Sequence, residues 1–107
     1  MNKLELVKAL LSDDSEEKLT DNSGNTKIVI LQRGWVFVGN FYQNGSMCTL
    51  KNAQNIRTWG TTKGLGELAS DGPTANTKLD KINDVTFHIL TSVAMIDADN
   101  KVWKKVL

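Results

Sequence analysis

The sequence predicts a mainly β fold: a small antiparallel barrel or strongly bent sheet of five to six strands with a short N-terminal helix. Three observations predict it. Short runs of β-branched and aromatic residues begin at Thr26, Gly and Asn interrupt them, and one long irregular glycine-rich stretch lies between them. A closed or bent sheet protects strand edges that would otherwise aggregate. A chain of 107 residues fits one such domain.

The first 25 residues differ in character from the rest. Leu4, Val7 and Leu11 recur on one face of a predicted helix over residues 3–11, and a polar, acidic arm follows it. Residues 1–25 have a net charge of −3, which leaves +4 on residues 26–107 for the formal total of +1. We therefore divide the chain into an N-terminal helix with an acidic arm, residues 1–25, and a β domain, residues 26–107.

The strand pattern contains one strong hairpin signal. Asn44-Gly45 predicts a two-residue turn that places Gln43 opposite Ser46 and Phe41 opposite Cys48. The side chains that share the core face in this register are Trp35, Phe37, Phe41, Cys48 and Leu50. The predicted strands are residues 27–32, 35–43, 46–51, 56–59, 85–97 and 102–106, with a turn at 52–55.

Composition excludes several classes of protein. A single Cys and a single His make neither an internal disulfide nor a conventional zinc site, so we predict no metal and a cytoplasmic protein. No apolar run approaches the roughly 20 residues needed to cross a membrane. A formal charge of +1 makes nucleic acid a weaker candidate partner than a small anion or a protein. We predict no cofactor.

Residues 57–66, the glycine-rich segment, combine cations, hydroxyls and flexible backbone. The order Gly-x-x-x-x-Gly-Lys-Ser/Thr is absent, which excludes a phosphate-binding loop of the NTPase type. Backbone amides in a glycine-rich turn can still form a concavity for an anion. The predicted ligand-binding residues are Arg57, Trp59, Gly60, Thr61, Thr62, Lys63, Gly64 and Gly66.

Two structural alternatives for this segment remain open. Its glycines can serve turn geometry alone, with Arg57 paired to Glu67 or Asp71. The indole of Trp59 can pack in the core or offer a stacking surface for a base. No serine–histidine–aspartate order and no paired-carboxylate pocket is recognisable, so we predict that the protein is not an enzyme.

Two stretches carry a family resemblance: Arg33-Gly-Trp-Val-Phe-Val-Gly-Asn-Phe41, and Ile56-Arg-Thr-Trp-Gly-Thr-Thr-Lys-Gly-Leu-Gly-Glu-Leu-Ala69 with Gly72-Pro-Thr74. In these the chain resembles a family of short, uncharacterised bacteriophage and prophage proteins, over residues 27–103. The family pattern often has a second basic residue where this chain has Thr58, and its members tend to lack residues 1–25. The resemblance implies a phage-related origin.

Together these observations favour a non-enzymatic protein that assembles as a homo-oligomer and binds a phosphorylated small molecule. Given the resemblance, we expect it to sequester a nucleotide immune signal, which is an anti-defence function. The alternatives are a protein-binding inhibitor of a host defence protein, with the acidic arm steering the encounter, and a minor phage structural or accessory domain.

Overall fold

The computed structural model describes residues 24–107; the predicted helix and nearly all of the acidic arm lie outside them. The strands are β1 (Thr26–Leu31), β2 (Val36–Asn44), β3 (Met47–Thr58), β4 (Lys78–Lys81), β5 (Val85–His88) and β6 (Ser92–Asp97). Two short helices, α1 (Leu65–Asp71) and α2 (Asn100–Lys104), complete the fold. Single 3₁₀ turns lie at Gln32–Gly34 and Ile89–Thr91.

The described residues form one antiparallel sheet. Its strand order is β4-β3-β2-β1-β6, and β5 pairs with β3 beside β4. The long strand β3 therefore has β5 along its first half and β4 along its second half. No described strand joins β6 to β4 or β5, so the sheet is not closed into a barrel, and register shifts in its β1–β6 and β2–β3 pairings bend it strongly. The predicted fold class is confirmed.

The hairpin forms, with a corrected register. Asn44 pairs with Met47 and Phe41 with Leu50, so the two turn residues are Gly45 and Ser46 rather than Asn44 and Gly45. Gly45 has φ 64° at the first turn position, which suits a type II′ turn better than the predicted type I′ turn. The pairing differs from the prediction by two residues, which preserves the face of every side chain.

A predicted turn at residues 52–55 proves to be a bend within one strand. β3 continues from Met47 to Thr58, and its register against β2 shifts between Val38 and Asn40. Asn52, at this shift, has a left-handed φ of 55°. A polar Asn-rich stretch resembles a turn in sequence, but here the extra residue forms a bulge that bends the strand.

Two further predictions about the C-terminal part are wrong. The predicted strand over 85–97 is two strands, because the 3₁₀ turn at Ile89–Thr91 interrupts it. The predicted strand over 102–106 is largely helix α2, which begins after Asp99. The Asp99 carboxylate accepts hydrogen bonds from the amides of Lys101 and Val102, which is the usual chemistry of a helix N-cap.

Each face of the sheet covers a hydrophobic cluster. One cluster contains Phe41, Cys48, Leu50 and Phe87, and Phe37 packs against it. Cys48 is fully buried, as predicted, and burial raises the pKa of its thiol. Trp35 was predicted to share this core, but it is 57% exposed, and its ring stacks on Phe37 with centroids 6.2 Å apart.

The other cluster joins the two helices to the sheet. Trp103 of α2 is completely buried beside Leu68 and Ala69 of α1. Its indole N–H lies 3.2 Å from the carbonyl oxygens of both Leu68 and Ala69. This contact fixes α1, and with it the C-terminal end of the glycine-rich segment, against the body of the domain.

Candidate functional site

The glycine-rich segment leaves β3 and is fastened to the turn before β4. The Thr77 hydroxyl donates to the carbonyl of Trp59 at 2.7 Å, and the Thr74 hydroxyl donates to the carbonyl of Gly60 at 2.7 Å. Gly60 has φ 70°, and a Cβ there would lie 2.4 Å from backbone atoms of Asn76 and Thr77. Only glycine permits this close approach, so Gly60 is required here for a structural reason.

A carboxylate of the protein itself occupies the middle of the segment. The Glu67 side chain accepts a hydrogen bond from the Lys63 amide at 2.8 Å and one from the Thr62 hydroxyl at 3.2 Å. The Thr61 hydroxyl is directed elsewhere, to the Gly64 carbonyl at 2.6 Å. The segment therefore presents a backbone and a hydroxyl donor to one oxyanion, and in this structure the oxyanion is Glu67.

Arg57 is engaged outside the segment. Its Nε donates to Asp80 at 2.9 Å and its NH2 nitrogen donates to the other carboxylate oxygen at 3.1 Å. The partner is thus Asp80 of β4, not Glu67 or Asp71 as the structural alternative proposed. The paired guanidinium holds the pKa of Asp80 below its usual value, and the carboxylate raises the pKa of Arg57.

The remaining predicted residues are divided between exposed and structural positions. Trp59 is 43% exposed, and a Cβ built on Gly64 would lie 3.9 Å from the indole. Lys63 is exposed, and its ammonium makes no ion pair within residues 24–107. Gly66 lies in the first turn of α1, where a Cβ would have no neighbour within 4 Å. Trp59 and Lys63 are therefore exposed side chains that are not engaged by a carboxylate, whereas Arg57 is exposed but paired with Asp80.

Sequence reasoning missed the roles of two acidic residues. Glu67 was considered only as an ion-pair partner of Arg57, although its position four residues after Lys63 allows it to bond back to that amide. Asp80 carried no signal, because its approach to Arg57 depends on the register between β3 and β4, where Asn55 pairs with Asp80. Long-range strand pairing of this kind is not encoded in local spacing.

Two classes of site are absent from the described part of the chain. No group of three or more His, Cys, Asp or Glu side chains there has the arrangement to hold a metal ion. Among residues 24–107, no helix has both the length and the apolar character needed to cross a membrane.

The fold and this segment define a small, strongly bent antiparallel β domain with a glycine-rich connection that carries accessible aromatic and basic side chains. Residues 26–106 match the family model described as a domain of unknown function, DUF6948. The match covers most of the chain, so the protein belongs to the DUF6948 family.

No curated protein matches the chain. Among solved structures, the chain is similar to the crystal structure of a heptameric archaeal Sm protein, at 13% sequence identity and a TM-score of 0.48. That similarity covers 71% of this chain and 88% of the Sm protein chain.

Proposed function

We propose that this protein is a non-enzymatic, phage-type binding protein for a phosphorylated small molecule, with sequestration of a nucleotide immune signal as its role. The observation that carries the proposal is the oxyanion already seated on the Thr62 hydroxyl and the Lys63 amide. Donors that hold a carboxylate also suit a phosphate oxygen. Both are charged acceptors, and the hydrogen bonds that they accept have similar lengths. Glu67 then acts as an internal competitor that the ligand displaces.

Two neighbouring side chains support this choice of ligand. The Lys63 ammonium is accessible and can approach a phosphate as a point charge. The exposed indole of Trp59 offers a face on which a base can stack. In this proposal Arg57 is a secondary ligand contact, because Asp80 already occupies the Nε edge of its guanidinium and only the remaining terminal N–H groups face a ligand.

A thermal-shift screen against linear and cyclic nucleotides tests the proposal. We expect at least one nucleotide to raise the melting temperature of the full chain, because a ligand that binds only the folded state stabilises it. Lys63→Ala should weaken the affinity for that nucleotide by about threefold to tenfold, which is the range for one exposed charge-assisted contact. Lys101→Ala, an exposed lysine on α2, is the matched control and should retain binding.

The two lysine variants and the nucleotide screen distinguish three outcomes. Equal loss in the two lysine variants would mean that only net charge matters and would contradict a site at the segment. No stabilisation by any nucleotide would contradict the proposal as a whole. Stabilisation that is weakened by Lys63→Ala and unchanged by Lys101→Ala supports it.

Self-association is the second part of the proposal, and the strand edges favour it. Within the described residues β6 pairs only with β1, and β5 pairs only with β3, so each has an open outer edge. Neither strand contains Lys or Pro, the residues that commonly guard open edges. Nearby, Leu90 is 78% and Val93 is 66% exposed. Pairing of β5 in one copy with β6 in the next would bury these groups in a homo-oligomer.

Native mass spectrometry of the wild type and Val93→Lys tests self-association. We expect the wild type to show a defined oligomer and Val93→Lys to shift it towards monomer, while Val93→Thr, which adds no charge, retains it. A wild type that stays monomeric at all concentrations contradicts this part. It would favour the alternative, a protein-binding inhibitor of a host defence protein.

A further inference from the structure

A polar cavity of about 390 Å³ lies at the end of the sheet where β1 begins. The side chains that carry its chemistry are Thr26, Asn40, Asn52, Asn100 and Lys104. They come from the start of β1, from β2, from the bend in β3 and from α2, so long-range folding alone assembles them. No Asp or Glu side chain is among the residues that line this cavity, which we call the asparagine pocket.

The bulge in β3 brings Asn52 into this pocket. Asn52 and Ala53 lie opposite the single residue Gly39, whose Cβ position would be 3.1 Å from the Lys51 carbonyl oxygen and 3.3 Å from the Ala53 Cα. The backbone N–H of Asn52 donates a hydrogen bond to an Asp84 carboxylate oxygen at 3.1 Å, which holds Asn52 in its left-handed conformation. A bulge changes the direction of the side chains at its position, and Asn is a residue that adopts the left-handed conformation readily.

Hydrogen bonds with Thr26 orient the side-chain amides of Asn100 and Asn40. The Thr26 amide donates to the Asn100 side-chain oxygen at 2.7 Å, and the Thr26 hydroxyl lies 3.4 Å from the Asn40 side-chain oxygen. Both side-chain oxygens are therefore already used as acceptors. The Asn100 NH₂ group donates one hydrogen bond to the Asn25 side-chain oxygen, at 3.2 Å.

The hydrogen-bonding groups of the pocket that have no partner among the described residues are mainly donors. Within residues 24–107 no hydrogen bond is made by the Asn40 NH₂ group or by the Asn52 side chain, and Lys104 has no ion-pair partner. An amide NH₂ offers two donors and an ammonium offers three. Spare amide donors and one ammonium are complementary to an oxyanion.

We infer that the asparagine pocket is a second binding site, separate from the glycine-rich segment, for a small molecule that presents an oxyanion such as a phosphate ester. Lys104 supplies the charge, and Asn40 and Asn52 supply hydrogen bonds that fix the orientation. The volume lies in the range of small-ligand sites, so a phosphorylated pentose is a suitable probe. The site does not depend on any residue of the proposed segment.

Titration of ¹⁵N-labelled full-length protein, followed by NMR, tests the inference with ribose 5-phosphate, inorganic phosphate and ribose as probes. We expect saturable shifts of the Asn40 and Asn52 side-chain NH₂ signals with the two phosphates and none with ribose. Lys104→Ala should weaken the affinity for ribose 5-phosphate by about tenfold, which is the factor for one strong charge-assisted contact. Lys105→Ala, which keeps its neighbour and lies outside the lining, should retain the wild-type affinity.

Several results would overturn the inference. These are the absence of saturable side-chain shifts, equal weakening by Lys104→Ala and Lys105→Ala, and saturable shifts confined to the amides of Thr62 and Lys63. The last result leaves the proposed function of the segment intact. If Lys104→Ala loses the dispersed spectrum of a folded protein, Lys104→Gln, which keeps much of the side chain's length, is titrated in its place with the same expectation.

Discussion

The glycine-rich segment and the asparagine pocket differ in how they use their hydrogen-bond donors. In the segment, Glu67 and the Gly64 carbonyl accept the hydrogen bonds of Thr61, Thr62 and the Lys63 amide. In the pocket, Asn40, Asn52 and Lys104 keep donors that no described group accepts. A conspicuous motif can therefore be engaged internally while an unmarked cavity retains spare binding capacity.

The largest effect is expected from substituting Trp103, the residue that connects the two regions. Trp103 belongs to the same helix as the pocket lysine and packs on the helix that follows the segment. Trp103→Ala should lower the free energy of unfolding by about 3–5 kcal/mol, because a fully buried indole leaves a cavity. Chemical denaturation measures this loss.

Trp103→Phe is the control for that prediction. It keeps most of the packing and loses the two N–H contacts to Leu68 and Ala69. We expect a loss of only about 1–2 kcal/mol, because the two carbonyls also accept backbone hydrogen bonds from Gly72 and Asp99. A Trp103→Ala protein as stable as the wild type would contradict the role of this residue as the link.

The next prediction separates two glycines of the same motif. Gly60→Ala places a Cβ 2.4 Å from the backbone of Asn76 and Thr77 at positive φ, so we expect a loss of about 3 kcal/mol. Gly66→Ala meets nothing within 4 Å in a helical turn and should gain about 0.5–1 kcal/mol. Thermal unfolding of both variants measures the contrast, and equal effects would contradict the structural assignment of Gly60.

The smallest expected effect concerns pH. The Arg57 guanidinium lowers the pKa of Asp80 in the folded state, so this pair stabilises the fold above the unfolded pKa of about 4. The contribution is lost as pH falls through the lowered folded value. Asp80→Asn should therefore lose slightly less stability on acidification than the wild type, as measured by denaturation at a series of pH values. A steeper loss in the variant would contradict this sign.

The parts of the fold that follow from local pattern could be predicted. The alternation of Phe41, Cys48 and Leu50 was sufficient to place them on one buried face even though the pairing register was wrong by two residues. The turn chemistry around Asn44-Gly45 was sufficient to predict a hairpin. Both signals depend on neighbours within a few residues, which a single sequence displays directly.

The parts that depend on tertiary contact could not be predicted. Residues 102–106 have the composition of a strand, yet Asp99 caps a helix and Trp103 finds a buried place against α1. The stretch around Asn52 resembled a turn, because a bulge is defined only by the strand opposite it. The same applies to the pocket, whose asparagines are far apart in sequence and have no shared motif.

We propose that the segment holds a ligand oxyanion where Glu67 now lies. Calorimetric titration tests this claim by comparing the wild type with Glu67→Gln, using the nucleotide that stabilises the protein most. We predict tighter binding by the variant, by about threefold, because a neutral amide competes less well than a carboxylate for the Lys63 amide. Unchanged or weaker binding by a folded Glu67→Gln protein would contradict the claim.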